Sequence, residues 1–207
     1  MIDTERPNVE INTLSSSLLV GLFSQINENK TLSVLDMGLA APTTVSFLGQ
    51  TKCRLQFSGF INSDLKLYNN EEIVHAEKVA LFKKALNFQA GTKFDIVLFW
   101  DLFCYLSKSA IAAFLEVLTP HLHSKTRAHS IGLLNARQQM AYSDYGINSI
   151  SQLWYQPSST IQPSIYAYSR HDFSRILRYL TIDRSCLLSG NRVENLLMIN
   201  TQDNQPI

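Results

Sequence analysis

The stretch Phe94-Asp95-Ile96-Val97-Leu98-Phe99-Trp100 is the strongest strand signal in the sequence. Its centre, Ile96 to Phe99, is a continuous apolar run, which is typical of a strand buried on both faces of a parallel sheet. A second apolar run, Leu32-Ser33-Val34-Leu35-Asp36, ends in an acid and is followed by Met37-Gly38. We therefore predict two buried strands, of which the later one lies in the middle of the sheet.

Strand and helix signals alternate around these two segments over the first two thirds of the chain. The predicted helices are an amphipathic helix over 14–26, a short helix over 43–48 with Pro42 at its start, a helix from Asn69 or Asn70 to about Phe88, and a helix over 109–122. The other predicted strands are 53–57 and 128–134. This alternation is the pattern of a parallel sheet with helices on both faces.

The last third of the chain follows a different pattern. Residues 138–168 are rich in Tyr, Ser, Gln and Pro without a clear period, and Ser169 with Asp172 forms a capping box that opens a helix. Two strand-like runs, 181–188 and 192–200, are joined by Ser189-Gly190-Asn191, which predicts an antiparallel hairpin. We predict one α/β domain over 1–207: a Rossmann-like, doubly wound, mostly parallel sheet closed by this hairpin, with flexible tails at 1–11 and 201–207.

Composition excludes several classes of function. The 18 Lys and Arg residues balance 17 Asp and Glu residues, so no basic surface for nucleic acid is predicted. No apolar run is long enough to cross a membrane, and the N-terminus lacks a secretion signal, so we expect a cytoplasmic protein. The three cysteines are far apart and no Cys/His cluster is present, so neither a disulfide nor a metal site is expected.

The predicted sheet with its final hairpin resembles the class I S-adenosylmethionine-dependent methyltransferases over most of the chain. The segment 32–38 is similar to that family's first strand and to the start of its Asp-x-Gly-x-Gly-x-Gly cofactor loop. The segment 94–101 is similar to its fourth strand, and 102–106 follow where the family places residues that face cofactor and substrate. The resemblance implies S-adenosylmethionine as the cofactor, bound at the carboxyl ends of the strands.

The chain departs from the family at the residues that hold the cofactor. Gly38 is retained, but Ala40 and Pro42 stand at the second and third glycine positions. Side-chain atoms there obstruct the approach of a cofactor to bare backbone, and proline also lacks an N–H donor. The second strand ends near Ser58 without the acid that would accept hydrogen bonds from the ribose, and the nearest acid is Asp64. An Asn/Asp-Pro-Pro-aromatic motif is also absent after Trp100, which disfavours transfer to a nucleobase or amide nitrogen.

The candidate site residues each allow a structural interpretation as well. Asp36 is either the cofactor-side carboxylate or an acid that caps the following turn. Asp101 and Tyr105 either orient a methyl acceptor or begin a helix and fill its flank. Trp100 either stacks on a flat substrate or belongs to the core.

The remaining candidates lie in the unpatterned stretch and in the cofactor loop. Trp154 and Tyr155 are candidates for a lid over a pocket, because long unpatterned loops are often functional. The predicted cofactor-side set is Asp36, Gly38, Ala40, Ser58, Asp64 and Asp101.

Two functional hypotheses follow from the sequence. The first is a methyltransferase-fold pseudoenzyme with a degenerate cofactor site, which serves as a binding, regulatory or structural partner of a protein or small molecule. The second is an active S-adenosylmethionine-dependent methyltransferase that acts on a small molecule or a protein side chain, with Asp64 recruited for the ribose. The sequence leaves the oligomeric state open.

Overall fold

The computed structural model describes residues 12–24, 30–58, 65–135, 141–157 and 164–200. The predicted tails, Asp64 and the end of the predicted N-terminal helix at Ile26 lie outside these residues. Within the described ranges, no helix has both the length and the apolar character that a membrane span requires.

The main sheet has six strands in the order β3-β2-β4-β5-β9-β8. Their bounds are β2 Leu32–Asp36, β3 Cys53–Phe57, β4 Ile96–Trp100, β5 Arg127–Leu133, β8 Leu180–Leu188 and β9 Arg192–Ile199. The first four strands are parallel to one another, and β9 pairs antiparallel with both β5 and β8. The predicted fold class is thereby confirmed, including the interior position of β4 and the closing hairpin.

Helices cover both faces of this sheet. Alternate side chains of each strand point to opposite faces, so a central strand contributes to the core on each side. The helices are α1 Leu19–Phe23, α2 Pro42–Leu48, α3 Leu65–Asn69, α4 His75–Leu86, α5 Lys108–Leu118 and α6 Arg170–Leu177. Val97 and Phe99 of β4 join the core cluster formed with α4, α5 and α6. Leu98 and Trp100 join the cluster on the opposite face, formed with α1 and α2.

A second sheet is formed by parts of two segments for which the sequence predicted a helix and an irregular stretch. It consists of β1 Asn12–Ser15, β7 Gln152–Pro157 and β6 Ser143–Ser149, paired antiparallel in that order. The prediction of an irregular stretch over 138–168 is therefore wrong for its central part. The prediction of one helix over 14–26 is also wrong, because β1 pairs with β7 before α1 begins. At the N-terminus, pairing with the distant β7 outweighs the local helical pattern, whereas β6 and β7 form a hairpin through the short turn at Ile150 and Ser151.

The predicted helix from Asn69 or Asn70 to about Phe88 begins later than expected, because α3 ends at Asn69 and only α4 lies within the predicted range. The side chain of Asn70 accepts a hydrogen bond from the backbone of Glu72 and so stabilises a turn, and α4 begins only at His75. The helix ends at Leu86, two residues before the predicted end near Phe88, and Asn87 caps it with a φ of 43°. An asparagine tolerates this left-handed conformation better than most residues do, and it ends the helix earlier.

The other helix boundaries follow the sequence signals closely. Pro42 occupies the first position of α2, and the Ser169 side chain accepts a hydrogen bond from the backbone N–H of Asp172 at the start of α6. Ser107 caps α5 in the same way. Pro120 lies in a short 3-10 helix, Thr119–His121, after α5 has ended.

Candidate functional site

The carboxyl ends of β2 and β4 form the crevice at which open α/β sheets bind ligands. β2 pairs with β3 on one side and with β4 on the other, so the strand order reverses between β2 and β4. Asp36 ends β2 and lies in register with Leu98 of β4, two residues before Trp100. Ligand sites of this fold class lie at such a reversal point, and Asp36, Gly38 and Trp100 meet there.

Asp36 is completely buried and already hydrogen-bonded on one side. Its Oδ1 accepts hydrogen bonds from the backbone N–H of Gly38 at 2.8 Å and from the indole N–H of Trp100 at 2.6 Å. Its Oδ2 is buried and has no hydrogen-bond partner among the described residues. Burial raises the pKa of Asp36 from 3.8 to about 6, against the opposing effect of the two hydrogen bonds. The capping interpretation of Asp36 is correct for Oδ1, since this atom binds the backbone of the following turn.

The indole of Trp100 lies directly over Gly38. A Cβ atom built on Gly38 would lie only 2.9 Å from Cδ1 and Nε1 of Trp100. The space that a bare glycine backbone leaves open is therefore filled by this indole. Trp100 is 1% exposed and belongs to the core, which is the structural interpretation that the sequence left open.

Trp100 adopts a backbone conformation that bulky residues rarely take. Its φ is 52°, in the left-handed region, and the β4–β5 register shifts next to it. Tyr145 stacks against the indole with ring centroids 5.8 Å apart, and His129 contacts it edge-on at 5.6 Å. Left-handed backbone at a bulky residue persists only where the surroundings fix it. Tyr145, His129 and Asp36 supply those contacts.

The second sheet is fixed to the start of α2, beside the altered loop. The backbone N–H of Ile147 donates to Thr44 Oγ1 at 3.1 Å, and the indole N–H of Trp154 donates to Thr43 Oγ1. Ala40 and Pro42 themselves are exposed. The atoms that cover Gly38 therefore come from β4, and β6 packs behind them.

Asp101 and Tyr105 form a buried pair beside this crevice. The Tyr105 hydroxyl donates to Asp101 Oδ2 at 2.6 Å, and the two residues bound a 3-10 helix over 102–105. Burial raises the pKa of Asp101 to about 7, although the nearby charge of Arg192 lowers it. Burial and the Asp101 charge also raise the pKa of Tyr105 far above its usual value. Asp101 can therefore hold or release a proton near neutral pH, but it is 1% exposed.

The remaining predicted site residues are dispersed. Ser58 is buried at the end of β3, and its backbone N–H donates to the carbonyl of Asp36 at 2.8 Å. Trp154 and Tyr155 lie in β7 and not in an unpatterned segment, and their role on the substrate side stays a prediction. The guanidinium of Arg192 lies 4.3 Å from the centre of the Tyr155 ring. Asp64 is outside the described residues, and its recruitment for a ribose stays a prediction.

Sequence reasoning missed a buried histidine–glutamate pair behind Trp100. His129 Nε2 lies 2.8 Å from Glu194 Oε1, both side chains are fully buried, and Ser16 donates to the same oxygen. Burial acts to raise the pKa of Glu194, but the hydrogen bonds from His129 and Ser16 outweigh it and hold the pKa below its usual value. A glutamate in the apolar run of β9 was the signal available in the sequence, because a charge within a buried strand needs a partner.

No group of three or more histidine, cysteine or acidic side chains among the described residues is arranged to hold a metal ion. Cys53, Cys104 and Cys186 are free thiols.

Comparisons with known proteins bear on the fold. No protein-family model matches the chain, and no curated protein matches it by sequence. Among solved structures, the mitomycin 7-O-methyltransferase MmcR aligns with a TM-score of 0.50 and 10% identity, over 88% of this chain and 53% of that one. Magnesium protoporphyrin IX methyltransferase from Synechocystis PCC 6803 with bound S-adenosylhomocysteine aligns with a TM-score of 0.49 and 13% identity, over 89% and 80%. At such identities the likeness concerns the fold: the chain has the fold of the class I S-adenosylmethionine-dependent methyltransferases.

Proposed function

We propose that this chain is a methyltransferase-fold protein that does not transfer methyl groups and serves as a binding, regulatory or structural partner. The observation that carries the proposal is the indole of Trp100, which fills the space over Gly38 and binds Asp36. In the family that the chain resembles, the amino-acid end of the cofactor packs against this bare backbone. The residues present, in this arrangement, do not fit that cofactor.

Three further features support the same proposal. Ala40 and Pro42 replace glycines, and Pro42 has no N–H to offer a carboxylate. Ser58 stands where an acid would bind the ribose. The second sheet is held on α2 through Thr43 and Thr44, so movement of the indole would also disturb Tyr145 of β6. A binding role needs the fold and its surfaces, and it does not need the crevice to be open.

One observation favours the alternative of an active methyltransferase for a small molecule or a protein side chain. Asp36 Oδ2 is buried without a partner, and a buried acceptor in that state costs about 1–3 kcal/mol. The ammonium group of a cofactor would supply a donor for this oxygen. This function requires Trp100 to leave its position over Gly38.

Calorimetric titration of the purified protein with S-adenosylmethionine and S-adenosylhomocysteine tests the proposal. We expect no heat of binding for either compound at micromolar concentrations. Micromolar affinity for either would overturn the proposal and favour the enzyme. In that case Asp36→Ala should abolish the binding, whereas Asp95→Ala, a change to a partly buried carboxylate just before the other end of β4, should leave it intact.

A further inference from the structure

A separate cavity lies on the opposite side of the main sheet from Trp100. Its volume is about 330 Å³, and it lies between the end of β5, the β8–β9 hairpin and the start of α6. Phe103 and Phe173, which line it, belong to the core cluster of α4, α5 and α6, whereas Trp100 belongs to the other cluster. Phe103 and Cys104, from the segment 102–106 that follows β4, line the cavity, but Asp36, Gly38 and Trp100 do not. It is therefore distinct from the crevice at Asp36.

The size of the cavity exceeds what imperfect packing leaves. Protein interiors contain few voids larger than a water molecule, and ligand pockets begin at about 300 Å³. An apolar cavity of about 150 Å³ is enough for a benzene ring. A space of about 330 Å³ accommodates two fused rings.

The floor of the cavity is open because β5 has a glycine there. Gly132 pairs with Val193 of β9, and directly opposed residues share a face of the sheet. A Cβ atom on Gly132 would have no neighbour closer than Asn195 Nδ2 at 3.9 Å. The backbone of Gly132 does not need glycine for its conformation, since its φ is not positive. Its effect at this position is to leave a flat surface on the floor.

One polar side chain reaches this floor from a buried position. Asn195 is 5% exposed; its Oδ1 accepts from Ser185 Oγ at 2.7 Å, and its Nδ2 donates to Ser130 Oγ at 3.5 Å. A side-chain amide nitrogen has two N–H groups, and Ser130 takes at most one of them. The other is available for an acceptor atom above Gly132.

The walls define the chemistry of the ligand. Four aromatic side chains line the cavity: Phe103, Tyr166, Tyr168 and Phe173. The described lining residues include no carboxylate, and the ionic one, Arg170, is exposed on α6. A cation such as a sulfonium therefore has no counter-charge there. A flat, neutral ring system has aromatic edges and faces to pack against.

We propose that this cavity binds a neutral, planar bicyclic aromatic compound that lies over Gly132 and accepts a hydrogen bond from Asn195. The site is independent of the crevice at Gly38, so its occupancy does not depend on whether the chain binds S-adenosylmethionine. Such a site recognises its ligand by shape and by a hydrogen bond from the side-chain amide of Asn195, without contact to a charged group.

Quinoline and naphthalene are suitable probes, because they have the same shape and only quinoline carries an acceptor nitrogen. Titrations followed by amide chemical shifts of the ¹⁵N-labelled protein should show binding on the order of 1 mM or tighter, with the largest changes around Gly132 and Val193. Quinoline should bind about fivefold more tightly than naphthalene, the effect of one ordinary hydrogen bond. An excess of S-adenosylmethionine should not displace it.

Two variants and a control complete the test. Gly132→Val projects a branched side chain into the cavity and suits a strand, so it should fold normally and weaken quinoline binding at least tenfold. Asn195→Asp keeps the shape but removes the donor and should abolish the preference for quinoline. Thr181→Val, at an exposed position of β8, should bind like the wild type. Shift changes centred on Trp100 and Gly38, or unchanged binding by a folded Gly132→Val protein, would overturn the proposal.

Discussion

Replacing Trp100 by glycine and by alanine separates backbone strain from the loss of the indole. Removing a fully buried tryptophan side chain costs about 3–5 kcal/mol in either variant. Trp100 has a φ of 52°, a conformation that costs about 1–2 kcal/mol for a residue with a Cβ and nothing for glycine. Glycine otherwise destabilises a strand by about 0.5–1 kcal/mol relative to alanine. The Gly variant should therefore be more stable than the Ala variant by about 0.75 kcal/mol, the difference between the midpoints of these two costs.

Urea unfolding followed by circular dichroism measures this difference directly. Trp154 provides the matched control, because it is the second tryptophan of the chain and its φ is not positive. At that position glycine should be less stable than alanine, which is the opposite sign. If glycine is the less stable replacement at both positions, the strain assigned to Trp100 is refuted.

The same variant tests whether the indole blocks the crevice. Trp100→Gly removes the atoms over Gly38 and leaves Asp36 without its indole donor, so S-adenosylmethionine should bind weakly by calorimetry. Trp100→Phe keeps a ring over Gly38 and should not bind. If folded Trp100→Gly shows no binding at millimolar cofactor, the indole is not what excludes it.

Three further predictions concern the buried polar groups and the second sheet. Burial raises the pKa of Asp101 to about 7, so the folded state keeps a proton that the unfolded state releases above 3.8. The free energy of unfolding should therefore fall as the pH rises from about 4 to 7, and Asp101→Asn should reduce this dependence in urea titrations, leaving the part that comes from Asp36. Glu194→Ala leaves His129 and Ser16 buried without their acceptor and should lower the free energy of unfolding by about 3–5 kcal/mol. Ser16→Ala should lower it by only about 1 kcal/mol, and equal effects of the two variants would contradict the pairing. Gly146→Ala places a Cβ against Trp154 and Thr43 and should lower the melting temperature. The double variant Gly146→Ala/Trp154→Ala should lose less stability than the sum of the losses in the two single variants.

Part of the candidate site was predictable because its signals are local. Asp36 and Trp100 end apolar runs, and strand ends in a parallel sheet meet at one edge. The replacement of two glycines of the family's loop by Ala40 and Pro42 is evident from the sequence without any structure. The occupant of the space over Gly38 was not predictable. It depends on a left-handed φ at Trp100, and no local pattern favours that conformation for tryptophan.

The sequence by itself determined which segments form the parallel strands, the helix caps at Pro42 and Ser169, and the closing hairpin, because periodicity and end signals act over a few residues. Only the tertiary structure decided that β1, β6 and β7 form a second sheet and that the indole of Trp100 lies over Gly38. These features depend on contacts between residues far apart, such as Trp154 with Thr43, 111 positions away, and Glu194 with Ser16, 178 positions away. Such contacts form only once the chain has folded, so their energy leaves no local pattern in the sequence.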